Sequence, residues 1–240
     1  MIKKITQSNE FDNYDKTDIY SIRIKSLLSA YGTKYDFAVF YYQIDNDNKI
    51  TSILSRLDND WTLSHLDIFD EAELCDFFRA VGYSTILSDD DFNFDSPYDE
   101  GIVMSAFKKA ERHIQYAEID FYPRLMDIFN FEDYDSIDFE SWYVDLSHRI
   151  RHGCAKAVSL NIGGEIVSSA VFSSIYKNDA ILSSVRTSPE FRKMGYGGAL
   201  VSEMLFDVSG TVYLMREKDK NESFYSNLGF ENSGLWRMYK

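Results

Sequence analysis

Residues 184–200 read Ser184-Val185-Arg186-Thr187-Ser188-Pro189-Glu190-Phe191-Arg192-Lys193-Met194-Gly195-Tyr196-Gly197-Gly198-Ala199-Leu200. The segment leaves a predicted strand, crosses a loop with a proline, and enters a helix whose apolar positions Leu200, Val201, Met204, Leu205 and Val208 share one face. Glycines at 195, 197 and 198 free the backbone to turn N–H groups outward, and the helix start adds the positive end of its dipole. Arg192 and Lys193 bring mobile positive charge to the same place. The pattern predicts an anion cradle for a phosphate-bearing ligand.

Two common phosphate loops are excluded by the residues after the glycines. A P-loop needs Gly-Lys-Ser/Thr, and here Gly197-Gly198 is succeeded by Ala199-Leu200. A dinucleotide fold needs G-x-G-x-x-G after the first strand of a parallel unit, and Leu200 stands where the third glycine belongs.

Outward from this segment, the second half reads as helix, meander, helix and strand. Apolar spacing at Trp142, Tyr143, Leu146 and Ile150 predicts a helix over 139–152, stopped by Gly153. Strands follow at 154–161 and 165–176 around Ile162-Gly163-Gly164, then at 180–187. Beyond the cradle helix, which ends at Gly210, come a strand at 211–215, a short helix at 221–228 closed by Gly229, and a last strand at 235–239. The first half shows the same order: a helix at 19–30, strands at 37–43, 49–57 and 61–66, a helix at 71–81 and a strand at 83–87. Shared order with little residue identity predicts an internal duplication whose first copy lost the cradle loop; an unrelated α/β domain is the alternative. The boundary is set between 1–118 and 119–240.

Composition bounds the function. With 240 residues and 45% hydrophobic content the chain can bury a core. Its net charge of -14 argues against a nucleic-acid partner, which needs a basic surface. By halves, residues 1–120 carry a net -11 and 121–240 a net -3. No apolar run is long enough for a membrane span, and the charged N-terminus shows no secretory pattern, so a cytoplasmic protein is expected. Cys75 and Cys154 have neither ligand nor redox spacing and read as core thiols. No metal site is expected: His148 and His152 lack a glutamate between them, and the acidic run at 89–100 lacks the glycine and final glutamate of an EF-hand, so it reads as a solvated loop.

Arg192-Lys193-Met194-Gly195-Tyr196-Gly197 resembles the R/Q-x-x-G-x-G/A pyrophosphate loop of the GNAT superfamily of acyl-CoA-dependent N-acyltransferases. Asn221-Glu222-Ser223-Phe224-Tyr225-Ser226-Asn227-Leu228-Gly229-Phe230 resembles its N-x-x-x-x-Y-x-x-x-G-F segment. Lys193 departs from the pattern, standing where a glycine is frequent. The resemblance covers roughly 120–240 and reaches the first half only through the duplication.

It implies an α/β (α+β) GNAT fold: a mixed, mostly antiparallel sheet flanked by helices, in a tandem of two GNAT-like domains. Acetyl-CoA is the implied cosubstrate, with pantetheine beside Val185, Arg186 and Thr187, pyrophosphate on the backbone of Lys193, Met194, Gly195, Tyr196, Gly197 and Gly198 with Arg192 adjacent, and Asn221 near the pantetheine. The implied reaction is direct attack of a primary amine, of a small molecule or peptide, on the acetyl group. The backbone N–H at Val185 then serves the carbonyl oxygen and Tyr225 protonates the sulfur. For the base, Ser183 and Ser184 on the strand could position a water, while Tyr176, Glu190, His148 and His152 are reachable by chain order, and none is singled out. Tyr122, Phe129, Phe131, Tyr134, Trp142 and Tyr143 read as core with the alternative of an acceptor pocket. A non-catalytic acyl-CoA sensor or partner-binding module is the competing reading, and a monomer or homodimer is expected.

Overall fold

A computed structural model of the chain describes residues 1–94, 96–107, 117–132 and 137–240. It divides into two compact units. The first comprises Met1–Val103 with Met215–Lys218 and Ser233–Lys240, the second Met104–Leu214 with Asp219–Asn232.

In the first unit, β1 (Ile2–Lys4), β2 (Ala38–Ile44), β3 (Ile50–Leu57) and β4 (Asp60–His65) are successive antiparallel neighbours, and β5 (Thr85–Ser88) runs parallel to β4. The β2–β3 turn is closed by Asp45, whose Oδ1 accepts from the backbone N–H groups of Asp47 and Lys49 at 2.9 Å each. Helix α1 (Ile19–Tyr31) starts where Asp18 Oδ1 accepts from Ser21 N–H at 2.6 Å and stops at Gly32, φ 64°. Helix α2 (Glu71–Val81) is built alike, with Asp70 as cap and Gly82 at φ 75° as stop. Leu54, Trp61, Leu63, Leu74, Phe78 and Ile86 form the core between sheet and α2.

The acidic run departs from expectation. Phe92 and Phe94 are buried in the first-unit core, while Asp91 and Asn93 beside them face out. Tyr239 explains the anchoring: its hydroxyl donates to Asp90 O and accepts from Phe92 N–H, both at 2.8 Å. Asp95 lies outside the described residues. A strand not expected from the sequence, β6 (Tyr98–Ala106), follows.

Where β4 and β5 end, His65 Nε2 lies 2.9 Å from Asp89 Oδ1, and Lys16 Nζ lies 3.2 Å from Asp89 Oδ2 and 3.0 Å from Asp18 Oδ2. Burial lowers the imidazole pKa, but the bond to Asp89, the Leu66 carbonyl and the Asp89 charge together raise it above its ordinary value. Burial likewise raises Asp89, and His65 with Lys16 overcome this and hold it at about 2. A raised histidine contributes stability that is complete below pH 6.5 and lost as pH rises through its folded pKa. The first unit is therefore expected to lose stability as pH rises above about 6.5, and His65→Gln to flatten that slope. Urea midpoints across this range check it; an unchanged slope in the variant would remove the ion pair as its source.

The second unit carries the meander. β8 (Lys156–Ile162), β9 (Glu165–Tyr176) and β10 (Asp179–Thr187) are antiparallel neighbours, with β7 (Glu118–Asp120) outside β8 and β11 (Val212–Glu217) parallel to β10. Gly163 and Gly164, φ 60° and 87°, make the β8–β9 turn with both central residues left-handed, which glycine accepts without strain. Helices α3 (Leu125–Glu132) and α4 (Phe139–Arg151) pack on each other, and α3 also packs on β8 and β9. Helix α5 (Tyr196–Phe206) packs on β8, β9 and β10, burying Ala199, Leu200, Val201, Met204 and Leu205. The last strand, β12 (Glu231–Tyr239), pairs antiparallel with β5, Met238 opposite Leu87. The chain's end thus completes the sheet of the first unit. No helix among the described residues is long and apolar enough to cross a membrane.

Candidate active site

The strand β10 is irregular where the chemistry is expected. Ser183 pairs with Val171 and Arg186 with Ser169, so Ser184 and Val185 together face the single residue Ala170. This is a β-bulge, and Ser184 takes the left-handed turn it requires, φ 48°. Among the described residues β10 and β11 pair only at Ala180–Val212 and Ile181–Tyr213. Val185, Arg186 and Thr187 lie in the stretch of β10 beyond these pairs.

The loop after β10 turns at once into α5. Ser188 N–H donates to Val167 O at 3.0 Å, and a 3-10 turn over Pro189–Phe191 leads to Arg192, whose Nε donates to Thr187 O at 3.1 Å. Lys193 sits at φ 63° and Gly195 at φ 90°. The first of these gives a physical reason for glycine being frequent at that motif position. Gly195 caps α5 with no side-chain bond, which leaves the N–H groups of the first turn at Tyr196, Gly197 and Gly198 without a capping side chain. Phe191 braces the turn edge-on against Tyr196 at 5.9 Å. Arg192, Lys193 and Met194 are exposed around this helix start.

Gly197 is required by packing. A Cβ there would lie 2.7 Å from Thr187 Oγ1, because α5 begins directly over β10. Ser168 Oγ completes the contact, donating to Arg186 O at 2.8 Å and lying 3.0 Å from Thr187 Oγ1. A positive, uncapped helix start over β10 fits a pyrophosphate followed by an extended arm.

The second signature lies beside it. Asn221, φ 60° and exposed, precedes the short helix α6 (Glu222–Ser226). Phe224 Cζ would stand 3.7 Å from a Cβ on Gly197, which sets α6 against the start of α5. Tyr225 is held by its backbone, N–H to Asn221 O and carbonyl from Phe230 N–H, both at 3.1 Å, and its ring packs 5.7 Å from Phe230. Burial pushes its pKa up, so at neutral pH the hydroxyl keeps its proton and can donate.

Side chains on a strand alternate between faces, so Ser169 and Arg186 project opposite to Ser168 and Thr187. There they meet Glu132, at the end of α3. Ser169 Oγ donates to Glu132 Oε1, and the Arg186 guanidinium donates to the Glu132 carbonyl. Glu132 is 8% exposed. Burial raises its pKa, the Ser169 bond and the Arg186 charge lower it, and the balance is about 7. Sequence reading does not single out Glu132: it is an ordinary residue of an acidic helix until the fold buries it. The one local signal is a carboxylate on a helix that must pack on a sheet.

The other sequence candidates are spread differently. His148 and His152 stack at 4.3 Å on α4, and among the described residues no group of three or more potential ligands assembles. Glu190 lies in the loop with its backbone and Ser188 as partners. Trp142 packs on the core of Leu146, Ala155, Ala157 and Val171, and Phe129 stacks on Phe139 and Trp142 at 5.0 and 5.2 Å. Tyr122 and Tyr143 are exposed. Tyr134 lies outside the described residues. Both cysteines are buried thiols.

Residues 113–230 match the model of the acetyltransferase (GNAT) family. No curated protein matches the chain. Solved structures share its fold at low identity. A GCN5-related N-acetyltransferase from Kribbella flavida is 12% identical with TM-score 0.60, covering 92% of this chain and 94% of that one. A Drosophila protein is 11% identical with TM-score 0.69, at 99% and 97% coverage. A tandem GNAT protein from the clavulanic acid biosynthesis pathway is 12% identical with TM-score 0.55, at 100% and 98%. The last covers both units, so the tandem GNAT fold extends over the whole chain.

Proposed function

We propose that this chain, whose residues 113–230 match the acetyltransferase (GNAT) family, transfers an acetyl group from acetyl-CoA to a primary amine of a small molecule or peptide by direct attack. The observation that carries this reading is the uncapped start of α5 lying over the β10 bulge, with Gly197 against Thr187. Bound acetyl-CoA supplies an electrophilic thioester carbonyl. The N–H groups from Lys193 to Gly198 would hold its pyrophosphate, with Arg192 and Lys193 adding charge. The backbone from Val185 to Thr187 would pair with the pantetheine as a strand edge, and Asn221 would contact that arm.

The bulge takes Ser184 and Val185 out of one-to-one register with β9, and the Val185 N–H would donate to the carbonyl oxygen as negative charge develops there. Tyr225 keeps its proton at neutral pH and follows Phe224, whose ring lies against the start of α5; it would deliver that proton to sulfur. Tyr225→Phe is expected to lower turnover about 10²-fold and acetyl-CoA affinity less than twofold. Steady-state thiol release beside equilibrium binding measures both; equal turnover in the two proteins would remove Tyr225 as the acid.

The competing reading is an acyl-CoA sensor without turnover. It predicts saturable acetyl-CoA binding and no thiol release with any amine, whereas the transferase releases thiol in step with amine consumed. We place the protein in the cytoplasm, as a monomer or homodimer acting without nucleic acid or metal.

A further inference from the structure

The transferase reading leaves the proton of the incoming amine without a destination. Primary amines are mostly ammonium at neutral pH, and an ammonium has no lone pair with which to attack. A base must therefore stand on the side from which the amine arrives. The α5 face of the sheet carries the start of α5 and, through Phe224, the short helix α6. The amine's approach is left to the opposite face, where α3 and α4 pack.

On that face, among the described residues, the carboxylate of Glu132 is held to the strand pair that carries the bulge. Glu132 Oε1 is tied to Ser169, whose strand partner is Arg186, the neighbour of Val185. The Arg186 guanidinium grips the Glu132 main chain, so the α3 terminus is fastened once to β9 through Ser169 and once to the bulged strand β10 through Arg186. We infer that Glu132 is the general base that takes the proton from the acceptor amine, an inference that rests on the transferase reading. An ammonium N–H gives its proton to the Glu132 carboxylate; the freed lone pair forms the C–N bond as the C–S bond breaks. Tyr225 protonates the sulfur and is restored by the second proton shed from the new amide nitrogen, and the proton on Glu132 passes to solvent.

The electrostatics agree. Burial raises Glu132 to about 7, close to the working pH, where a base is ionised in a useful fraction and still holds a proton. Arg186 from β10 is the cation that acts on it, and Ser169 from β9 donates to it. Of the charged groups on the other elements packed on α3, Lys156 of β8 pairs with Asp207, and Asp145 and Arg149 of α4 pair with each other, Arg149 also donating to the Ser173 carbonyl. Glu140, His148 and Arg151 of α4 and Glu165 of β9 are not among the groups that shift Glu132.

The test compares two probe amines, spermidine, a cation at pH 7, and hydroxylamine, already neutral there. Thiol release at saturating acetyl-CoA is followed from pH 5.5 to 9. The wild type is expected to show an acidic limb with spermidine near pH 7. Glu132→Gln should remove that limb and lower the spermidine rate at pH 7 about 10²-fold, leaving the hydroxylamine rate within about threefold. Ser169→Ala removes a donor to the carboxylate and should move the limb to higher pH without lowering the plateau. A retained limb, or equal losses with both amines in a Glu132→Gln protein that acetyl-CoA still stabilises thermally, overturns the assignment. So does a wild type that acetyl-CoA stabilises but that releases no thiol with either amine. A wild type that acetyl-CoA does not stabilise defeats the transferase reading itself and this base with it.

Discussion

Acetyl-CoA at about 100 times its dissociation constant is expected to raise the melting temperature of the protein by roughly 5–10 °C. A ligand that binds only the native state contributes about 2.7 kcal/mol at that concentration, and a chain of this length gains about 2–4 °C per kcal/mol. Gly197→Ala should abolish most of the shift. The new Cβ would lie 2.7 Å from Thr187 Oγ1, closer than real Cβ atoms come, so either α5 lifts from β10 or Thr187 turns away. Both responses disturb the cradle and the strand edge together. The variant without ligand should also lose about 1–3 kcal/mol through overpacking, and Thr187→Ala in the same protein should recover part of that loss. Gly234→Ala is the control, since a Cβ there finds only Val103 Cβ at 3.9 Å and should leave the ligand shift intact. A full shift in Gly197→Ala would show that the cradle is not where acetyl-CoA binds.

Tyr239→Ala is expected to cost about 3–5 kcal/mol, the range for emptying a buried aromatic site. The ring is fully buried and packs on Phe94, Tyr98 and Phe92 at centroid distances of 5.0, 5.2 and 6.3 Å. Its hydroxyl closes a second set of interactions with Asp90 O and Phe92 N–H. Tyr239→Phe keeps the ring and leaves that carbonyl and N–H unpaired, for about 1–3 kcal/mol. The difference between the variants therefore measures the packing, and urea unfolding reads both. Equal midpoints for wild type and Tyr239→Ala would mean that the chain's last strand contributes nothing to the first unit. Losses of this size are a large fraction of an ordinary domain's stability, so a substitution one residue from the C-terminus should lower the soluble yield.

Much of the candidate site is legible because its signals are local. Lys193 and Gly195 are left-handed, Gly197 admits no side chain, and an amphipathic helix follows within a few residues; each is written in the segment that performs it. The same holds for α1 and α2, whose aspartate caps and glycine stops bracket their apolar stretches. The acidic run misleads for a related reason. Its carboxylates dominate the composition, while Phe92 and Phe94 alternate with them and point inward, a period-two signal too short to outweigh the charge. β1, β7 and α3 are also short, three, three and eight residues, and offer too few repeats for periodicity to register.

The sequence alone carries the tandem order of elements, the phosphate cradle, the glycines that shape it and Tyr225 as a candidate acid, because turns, caps and helix faces depend on residues within one or two turns of one another. Only the tertiary structure decides that the chain's last strand pairs with β5 and that Glu132 meets Ser169 and Arg186, residues 37 and 54 positions away. Those partners are chosen by which surfaces remain to be covered once the sheets form. Glu132 becomes a base near neutrality through the same burial, since desolvation is a property of the assembled surroundings and leaves no mark on the residue itself.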